Sequence, residues 1–251
     1  MKRLVQFWKQ QIKPREIGLY DVFCAILYVV KSGCQWRTIP SDFPNWELVY
    51  YYYRAWSDKR SPDQPSILEE ILKKKVGEAR ERDGREPKTS MGIIDSQSVK
   101  NSESAREKGY DGGKKVSGIK RHIVVDTNGL PHALGVSKAN AGGREGAIQL
   151  FEKNKENLSK VKKILADGGY GGEPFRQETN RILKAEAGIA KRSGLHTFVV
   201  IPKRWVVERS FSWIDKCRRL WRNCEAAMDS SLHMIFFMFY QNIAKKNLNS
   251  F

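Results

Sequence analysis

Apolar residues recur at helical spacing through the first 60 positions of the chain, and many of them are aromatic. The run at 21–30 predicts a helix that ends near Gly33, because glycine readily adopts the left-handed conformation that terminates helices. Asn45 is predicted to cap a second helix, since its side chain can accept a hydrogen bond from the first turn. Two helices joined by a short loop fit either a helix-turn-helix DNA reader or a helical cap packed on the next domain.

Beyond residue 90 the pattern changes to short alternating or continuous apolar runs, which are typical of strands. The tripeptide Thr127–Asn128–Gly129 predicts a hairpin turn between two of these runs. The predicted strands are 92–99, 116–126, 130–137, 161–167 and 198–201. The predicted helices are about 144–158, 174–183, a long one that begins after Pro202, and 230–246.

The resulting order, βββαβαβα, is that of a ribonuclease-H-like domain, in which an antiparallel three-strand meander is extended by parallel strands and covered by helices on both faces. We therefore predict an α/β fold with a mixed sheet, preceded by an all-helical N-terminal domain. The expected division is a helical domain at 1–60, a polar linker with one short helix at 61–90, and a ribonuclease-H-like domain with a C-terminal helix at 91–251. Within the linker, the helix is expected at 68–76 and an exposed charged stretch at 77–89.

The chain is strongly basic, with 45 Lys and Arg residues against 28 Asp and Glu and a formal net charge of +17. Such an excess favours a polyanionic partner, and the alternative is a soluble protein that is merely basic. No segment has the features of a signal peptide or a membrane span. We therefore expect a cytoplasmic protein without a membrane partner.

Three acidic residues are candidates for chemistry. Strands one and four are neighbours in the predicted fold, which places Asp95 near Asp167. Glu208 is predicted on the basic side of a helix, opposite its apolar side. That side is either functional or simply solvated, with charge pairs such as Glu208 with Arg204. Three carboxylates gathered in a basic protein indicate a divalent metal held against a nucleic-acid backbone.

Four sequence motifs add a family resemblance. They are SGCQWRTIP at 32–40 with Phe43–Pro44, IDSQS at 94–98 with GGKKVSGIKRHIVVD at 112–126, LADGGY at 165–170, and WVVERSFSW at 205–213 followed by CRRL at 217–220. In this order they resemble the bacterial insertion-sequence DDE transposases of the insertion-sequence-five group, from about residue 18 to the C-terminus.

The resemblance implies a catalytic triad of Asp95, Asp167 and Glu208 that binds two Mg²⁺ ions, for which Mn²⁺ can substitute. It implies metal-dependent cleavage of double-stranded DNA at terminal inverted repeats and strand transfer into target DNA, carried out by a homo-oligomer in the bacterial cytoplasm, at the nucleoid. The basic residues expected to contact DNA are Arg204, Arg209, Lys216, Arg218, Arg219, Arg222, Lys114, Lys115, Lys120 and Arg121.

Three positions depart from the family pattern. Ile201 and Asp215 stand where a tyrosine and a lysine are usual around the glutamate, and Gly143 stands where an aspartate is common. Two alternatives therefore stay open. One is a ribonuclease-H-like nuclease or resolvase that cuts without joining strands, and the other is a catalytically decayed regulator that binds DNA.

Overall fold

Helices and strands alternate along most of the chain in the computed structural model, which describes residues 18–59, 61, 64–189 and 204–248. The helices are α1 Leu19–Ser32, α2 Trp46–Ser57, α3 Ile67–Arg82, α4 Gly143–Lys153, α5 Glu173–Leu183, α6 Arg204–Asp215, α7 Arg218–Trp221 and α8 Met228–Leu248. The strands are β1 Met91–Lys100, β2 Gly109–Asp111, β3 Val116–Val125, β4 Pro131–Lys138, β5 Lys163–Ala166 and β6 Glu186–Ile189. No helix within the described ranges is both long enough and apolar enough to cross a membrane.

The end of the first helix and the start of the second are where the sequence predicts them. Gly33 ends α1 with a φ of 73°, and its N–H donates to the carbonyl of Val29. Asn45 caps α2 by accepting a hydrogen bond from the N–H of Glu47. Both predictions are confirmed because each depends on local backbone chemistry rather than on distant contacts.

Helix α3 is longer than the sequence predicts. A capping box formed by Ser66 and Glu69 starts it, and it continues through 16 residues instead of ending at residue 76. The expectation of an exposed stretch at 77–89 is wrong at three positions, because Gly77, Arg80 and Thr89 are buried. Arg80 is buried by a tertiary ion pair with Asp126, which local sequence does not reveal.

The sheet has the topology predicted for a ribonuclease-H-like domain. Strand β3 lies between β1 and β4 and is antiparallel to both. The short β2 pairs, also antiparallel, with the first three residues of β3. On the far side of β1, strands β5 and β6 follow in parallel orientation. The order β4–β3–β1–β5–β6 confirms the α/β fold with a mixed sheet. Gly129, with a φ of 79°, forms the turn between β3 and β4 as predicted.

The last strand differs from its predicted position. The strand expected at 198–201 lies outside the described residues, whereas β6, at Glu186–Ile189, pairs with β5. Helix α5 ends at Lys184, which adopts a left-handed conformation, so the chain turns directly into β6. Its sequence, Glu-Ala-Gly-Ile, contains three residues of low strand propensity, which hides the strand from a pattern search.

Two apolar clusters cover the opposite faces of the sheet. Ile94 and Val124 pack with residues of α4 and α5, such as Phe151 and Ile182. The other cluster starts from Ile93, Ile123 and Val125 and includes side chains of α6, α8 and the N-terminal helices α1–α3. The N-terminal helices therefore share one core with the sheet and with the C-terminal helix.

Candidate active site

Asp95 and Asp167 lie beside each other where two parallel strands run side by side. Strands β1 and β5 pair with Ile93 opposite Leu165, and each aspartate follows two residues later. Strand β5 ends at Ala166, and the side chain of Asp167 accepts a hydrogen bond of 2.9 Å from the N–H of Gly169 in the following 3-10 helix. Both aspartates are half-buried, so their oxygens are held by the fold yet within reach of a ligand.

Tyr170 lies within the electrostatic influence of both of these carboxylates. Burial raises the pKa of the Tyr170 phenol, and the negative charges of Asp95 and Asp167 raise it further, so the hydroxyl stays protonated. The start of α4 covers the same place, because a Cβ built on Gly143 would lie 3.6 Å from the Tyr170 hydroxyl. A side chain at position 143 would therefore contact Ser96 and Tyr170, and Gly143 is not itself a helix cap here.

Two cations are anchored close to the aspartates. The guanidinium of Arg144 donates to the carbonyl of Gly169, 3.0 Å away, and holds the loop that follows Asp167. The ammonium of Lys114, in the exposed turn between β2 and β3, donates to the carbonyl of Ser96, 3.2 Å away. Lys114 thus approaches the strand position next to Asp95, a contact that its distance in sequence conceals.

Glu208 is exposed on α6, which packs against β1 and β3. At the end of this helix, Asp215 accepts a hydrogen bond of 2.9 Å from the side-chain amide of Gln97. Gln97 and Asp95 are two residues apart on β1 and share one face of the strand. Glu208 lies seven residues before Asp215, on nearly the same side of the helix and roughly 10 Å along its axis.

The pairing of β1 with β5 therefore sets Asp95 beside Asp167, and α6, the helix that carries Glu208, packs on β1. Among residues 18–59, 61, 64–189 and 204–248, however, no three His, Cys, Asp or Glu side chains are close enough to hold a metal ion. The donor types nevertheless suit a hard divalent cation, because all three side chains are carboxylates.

Arg121 and Lys120 are interior residues. Arg121 is fully buried, and its guanidinium donates to the carbonyl of Leu220 and forms an ion pair of 4.0 Å with Asp215. Burial lowers the pKa of Arg121 to about 10, against the opposing effect of Asp215. The ammonium of Lys120 lies 3.1 Å from Asp111 and is also buried. Neither side chain presents a charge to solvent, so we remove both from the predicted DNA contacts.

The other predicted DNA contacts fall into three groups. Arg219 is engaged within the protein, with its guanidinium 2.6 Å from Glu225 and 3.0 Å from the carbonyl of Cys34. Arg209 is half-buried, and its guanidinium donates to the carbonyl of Asn128. The side chain of Arg204 lies outside what the structure describes. The exposed members are Lys114, Lys115, Lys216, Arg218 and Arg222.

Sequence reasoning missed the role of one acid, Asp126. Its carboxylate is buried at the end of β3, where it pairs with Arg80. Burial acts to raise the pKa of Asp126, but the nearby His132 ring and hydrogen bonds from the N–H groups of Leu130 and Asn128 outweigh it and lower the value to about 2. Nothing in the local pattern reveals the pair, because Arg80 precedes Asp126 by 46 residues.

Two family models match the chain. One, described as a transposase DDE domain, matches residues 86–240. The other, described as an inferred transposase of the IS4/5 family, matches residues 1–64. The first match covers β1 to β6 and contains all three acids of the candidate site.

Individual known proteins are also similar to parts or most of the chain. An inferred transposase for insertion sequence element IS402 from Burkholderia cepacia is 34% identical over 110 residues, which are 41% of this chain and 52% of the relative. The chain thus spans about half the length of that relative. Among solved structures, the catalytic core domain of BIV integrase matches with a TM-score of 0.40 and 10% identity, over 64% of this chain and 97% of that one. The Mos1 transposase paired-end complex with the left transposon end matches with a TM-score of 0.28 and 12% identity, over 97% and 86%.

Proposed function

Because the chain belongs to the transposase DDE domain family, we propose that it cleaves DNA at the ends of an insertion sequence and joins the freed ends to target DNA. The observation that carries this proposal is the parallel pairing of β1 with β5, which sets Asp95 beside Asp167. Glu208, on the helix packed over β1, supplies the third carboxylate of the proposed triad. Its substrates are double-stranded terminal inverted repeats and target DNA.

The proposed triad suits a divalent cation, and we assign two Mg²⁺ ions to Asp95, Asp167 and Glu208, with Mn²⁺ as a substitute. Carboxylate oxygens are the ligands that Mg²⁺ prefers, whereas histidines would favour softer metals. When bound, such ions supply Lewis-acid activation of the attacking hydroxyl and neutralise charge at the scissile phosphate. The protein's own contribution is to hold three anionic groups together, supported by Lys114 and Arg144 nearby.

The exposed basic residues near α6 and α7 fit a DNA backbone. Lys216, Arg218 and Arg222 follow Glu208 along the chain and present their charges to solvent. Lys114 and Lys115 lie in the turn that reaches β1. We assign phosphate contacts to these five residues, since phosphate contacts position a protein on DNA without reading its sequence.

The helical region at 1–60 is proposed to take part in binding the DNA ends, and several copies of the chain are proposed to assemble on them. Residues 61–90 would connect this region to the catalytic domain at 91–251. Its helices α1 and α2 pack in the same apolar cluster as the sheet, so they would present DNA to the acids as part of one body. The proposed site of action is the bacterial nucleoid.

A cleavage and joining assay tests the proposed function. Purified full-length protein is incubated with Mg²⁺, a supercoiled target plasmid and a labelled duplex that carries the terminal repeat found beside the coding region. We expect nicks at the repeat end and label joined to the plasmid, and chelation of the metal should abolish both products. Cleavage without joining would favour the nuclease or resolvase, and binding alone would favour the decayed regulator.

Arg218→Ala is expected to weaken DNA binding by removing one phosphate contact. The slope of log K against log[salt] should become shallower by about 0.9, the value for one phosphate on double-stranded DNA. The measurement is fluorescence anisotropy of the labelled duplex at several salt concentrations. Arg181→Ala is the matched control, because Arg181 is also exposed but is paired with Glu152 of α4 and Glu178 of α5. Equal slopes for both variants would remove Arg218 from the interface.

A further inference from the structure

The guanidinium of Arg209 is fixed from three sides. Its central carbon lies 4.7 Å from the ring centroid of Trp205 and 5.1 Å from that of Trp213, which are one helical turn before and after it. One of its terminal nitrogens donates to the carbonyl of Asn128 at 3.0 Å. A planar guanidinium can stack on aromatic faces while it donates at its edge, which a lysine ammonium cannot reproduce.

The partner of Arg209 is the β3–β4 turn, residues 126–129, which is held from its other side by α3 and the residues after it. Arg80 pairs with Asp126 in the interior. Arg85 donates to the hydroxyl of Thr127 at 2.6 Å, and the side chain of Asn128 donates to Asp83 at 2.9 Å. The turn is therefore a rigid anchor rather than a loose loop.

Gly129 allows α6 to approach this turn closely. A Cβ at Gly129 would lie 3.1 Å from the Arg209 guanidinium and 3.2 Å from the Ser210 hydroxyl, so a larger residue would push the helix away. The Ser210 hydroxyl also points to the carbonyl of Gly129, 3.4 Å away. Two successive residues of α6 thus meet the turn at short range.

These two residues directly follow Glu208. We propose that Arg209 is a positioning residue that fixes the rotation and height of α6 on the β3–β4 turn, and so sets where the Glu208 carboxylate stands relative to Asp95 and Asp167. The inference rests on the proposed function, because it assumes that Glu208 binds metal. It changes the role of Arg209 from a DNA contact to a support for the acid beside it.

Binding of Mn²⁺ to the full-length protein tests this role without relying on activity. The free Mn²⁺ signal is followed by electron paramagnetic resonance for the wild type, Arg209→Met, Glu208→Gln and the double variant. Arg209→Met should weaken Mn²⁺ binding about 10-fold or more, as is typical when the group that orients a metal ligand is lost. The double variant should bind no more weakly than Glu208→Gln, because Arg209 acts only through Glu208.

Two further variants separate positioning from stability and from charge. Arg209→Lys keeps the charge without the planar group, and it should bind Mn²⁺ with intermediate affinity while unfolding within a few degrees of the wild type. Arg181→Met, which removes an exposed arginine of α5 that is paired with Glu152 and Glu178 rather than with the turn, should leave Mn²⁺ affinity unchanged. If Arg209→Met does not fold, the Arg209→Lys result alone decides, and wild-type affinity there would overturn the inference.

The remaining outcomes are equally decisive. If Arg209→Met lowers Mn²⁺ affinity as much in the Glu208→Gln background as in the wild type, the inference is overturned. A changed salt dependence of DNA binding with unchanged Mn²⁺ affinity would also overturn it, and would restore Arg209 as a phosphate contact. Wild-type Mn²⁺ affinity in Glu208→Gln would instead refute the proposed metal site, and the two failures are therefore distinguishable.

Discussion

Asp95→Asn, Asp167→Asn and Glu208→Gln should each lower the rate of strand cleavage on the order of a thousandfold or more, while affinity for the DNA ends is kept. Each change keeps the size of the side chain and removes the negative charge that a divalent cation needs. Binding to DNA should be equal or slightly tighter, because an anionic group near the phosphate backbone is lost. Single-turnover cleavage of the labelled duplex and anisotropy of the same duplex measure the two quantities.

Glu173→Gln is the matched control for this series. Glu173 is an exposed carboxylate on α5, and its substitution should change neither cleavage nor binding. A rate within tenfold of the wild type for any of the three variants would remove that residue from the catalytic set. Loss of cleavage together with loss of DNA binding would indicate a folding defect, which circular dichroism would identify.

Arg80→Met should lower the free energy of unfolding by about 3–5 kcal/mol, because it leaves the buried Asp126 carboxylate without its main cation. The other groups near this carboxylate are less favourably placed, since the Arg85 guanidinium is 3.8 Å from it and the His132 ring is 3.7 Å from it. Urea denaturation at pH 7 measures the loss. The double variant Arg80→Met/Asp126→Asn should recover part of it, because no unpaired charge is then buried and Asn can still accept the turn's hydrogen bonds.

Arg82→Met serves as the comparison for Arg80→Met. Arg82 is on the same helix but exposed, so its substitution should change stability by no more than about 0.5 kcal/mol. Similar losses for the two variants would show that the buried ion pair contributes little beyond the helix itself. Because Asp126 belongs to the turn that meets Arg209, the cleavage rate of folded Arg80→Met also reports whether the turn supports α6.

The sequence predicts helix ends, the hairpin turn and the order of strands well. Gly33 and Asn45 mark helix ends through their own backbone and side-chain chemistry, and Gly129 marks the hairpin in the same way. The pairing of β1 with β5, and with it the approach of Asp95 to Asp167, follows from the order of strands in the predicted fold. These features need no knowledge of distant contacts.

Burial of charged groups is less predictable. Lys120 and Arg121 are adjacent on β3 and point to opposite faces of the strand, but helices cover both faces and both side chains are buried. Arg218 and Arg219 are neighbours in sequence, but Arg219 forms an ion pair with Glu225 of the following loop, whereas Arg218 is exposed. Helical periodicity gives the direction of Glu208 but not its distance from Asp95, which depends on how α6 is anchored.

The common core of α1–α3 with α6 and α8 limits how this chain can be shortened. A product translated from a start beyond residue 60 would lack Val22, Ile26 and Tyr53, and would expose the apolar side of α8 that they cover. Such a fragment would aggregate or be degraded rather than persist as a competitor for the repeats. An N-terminally truncated product is therefore not expected to persist as an inhibitor of the full-length chain.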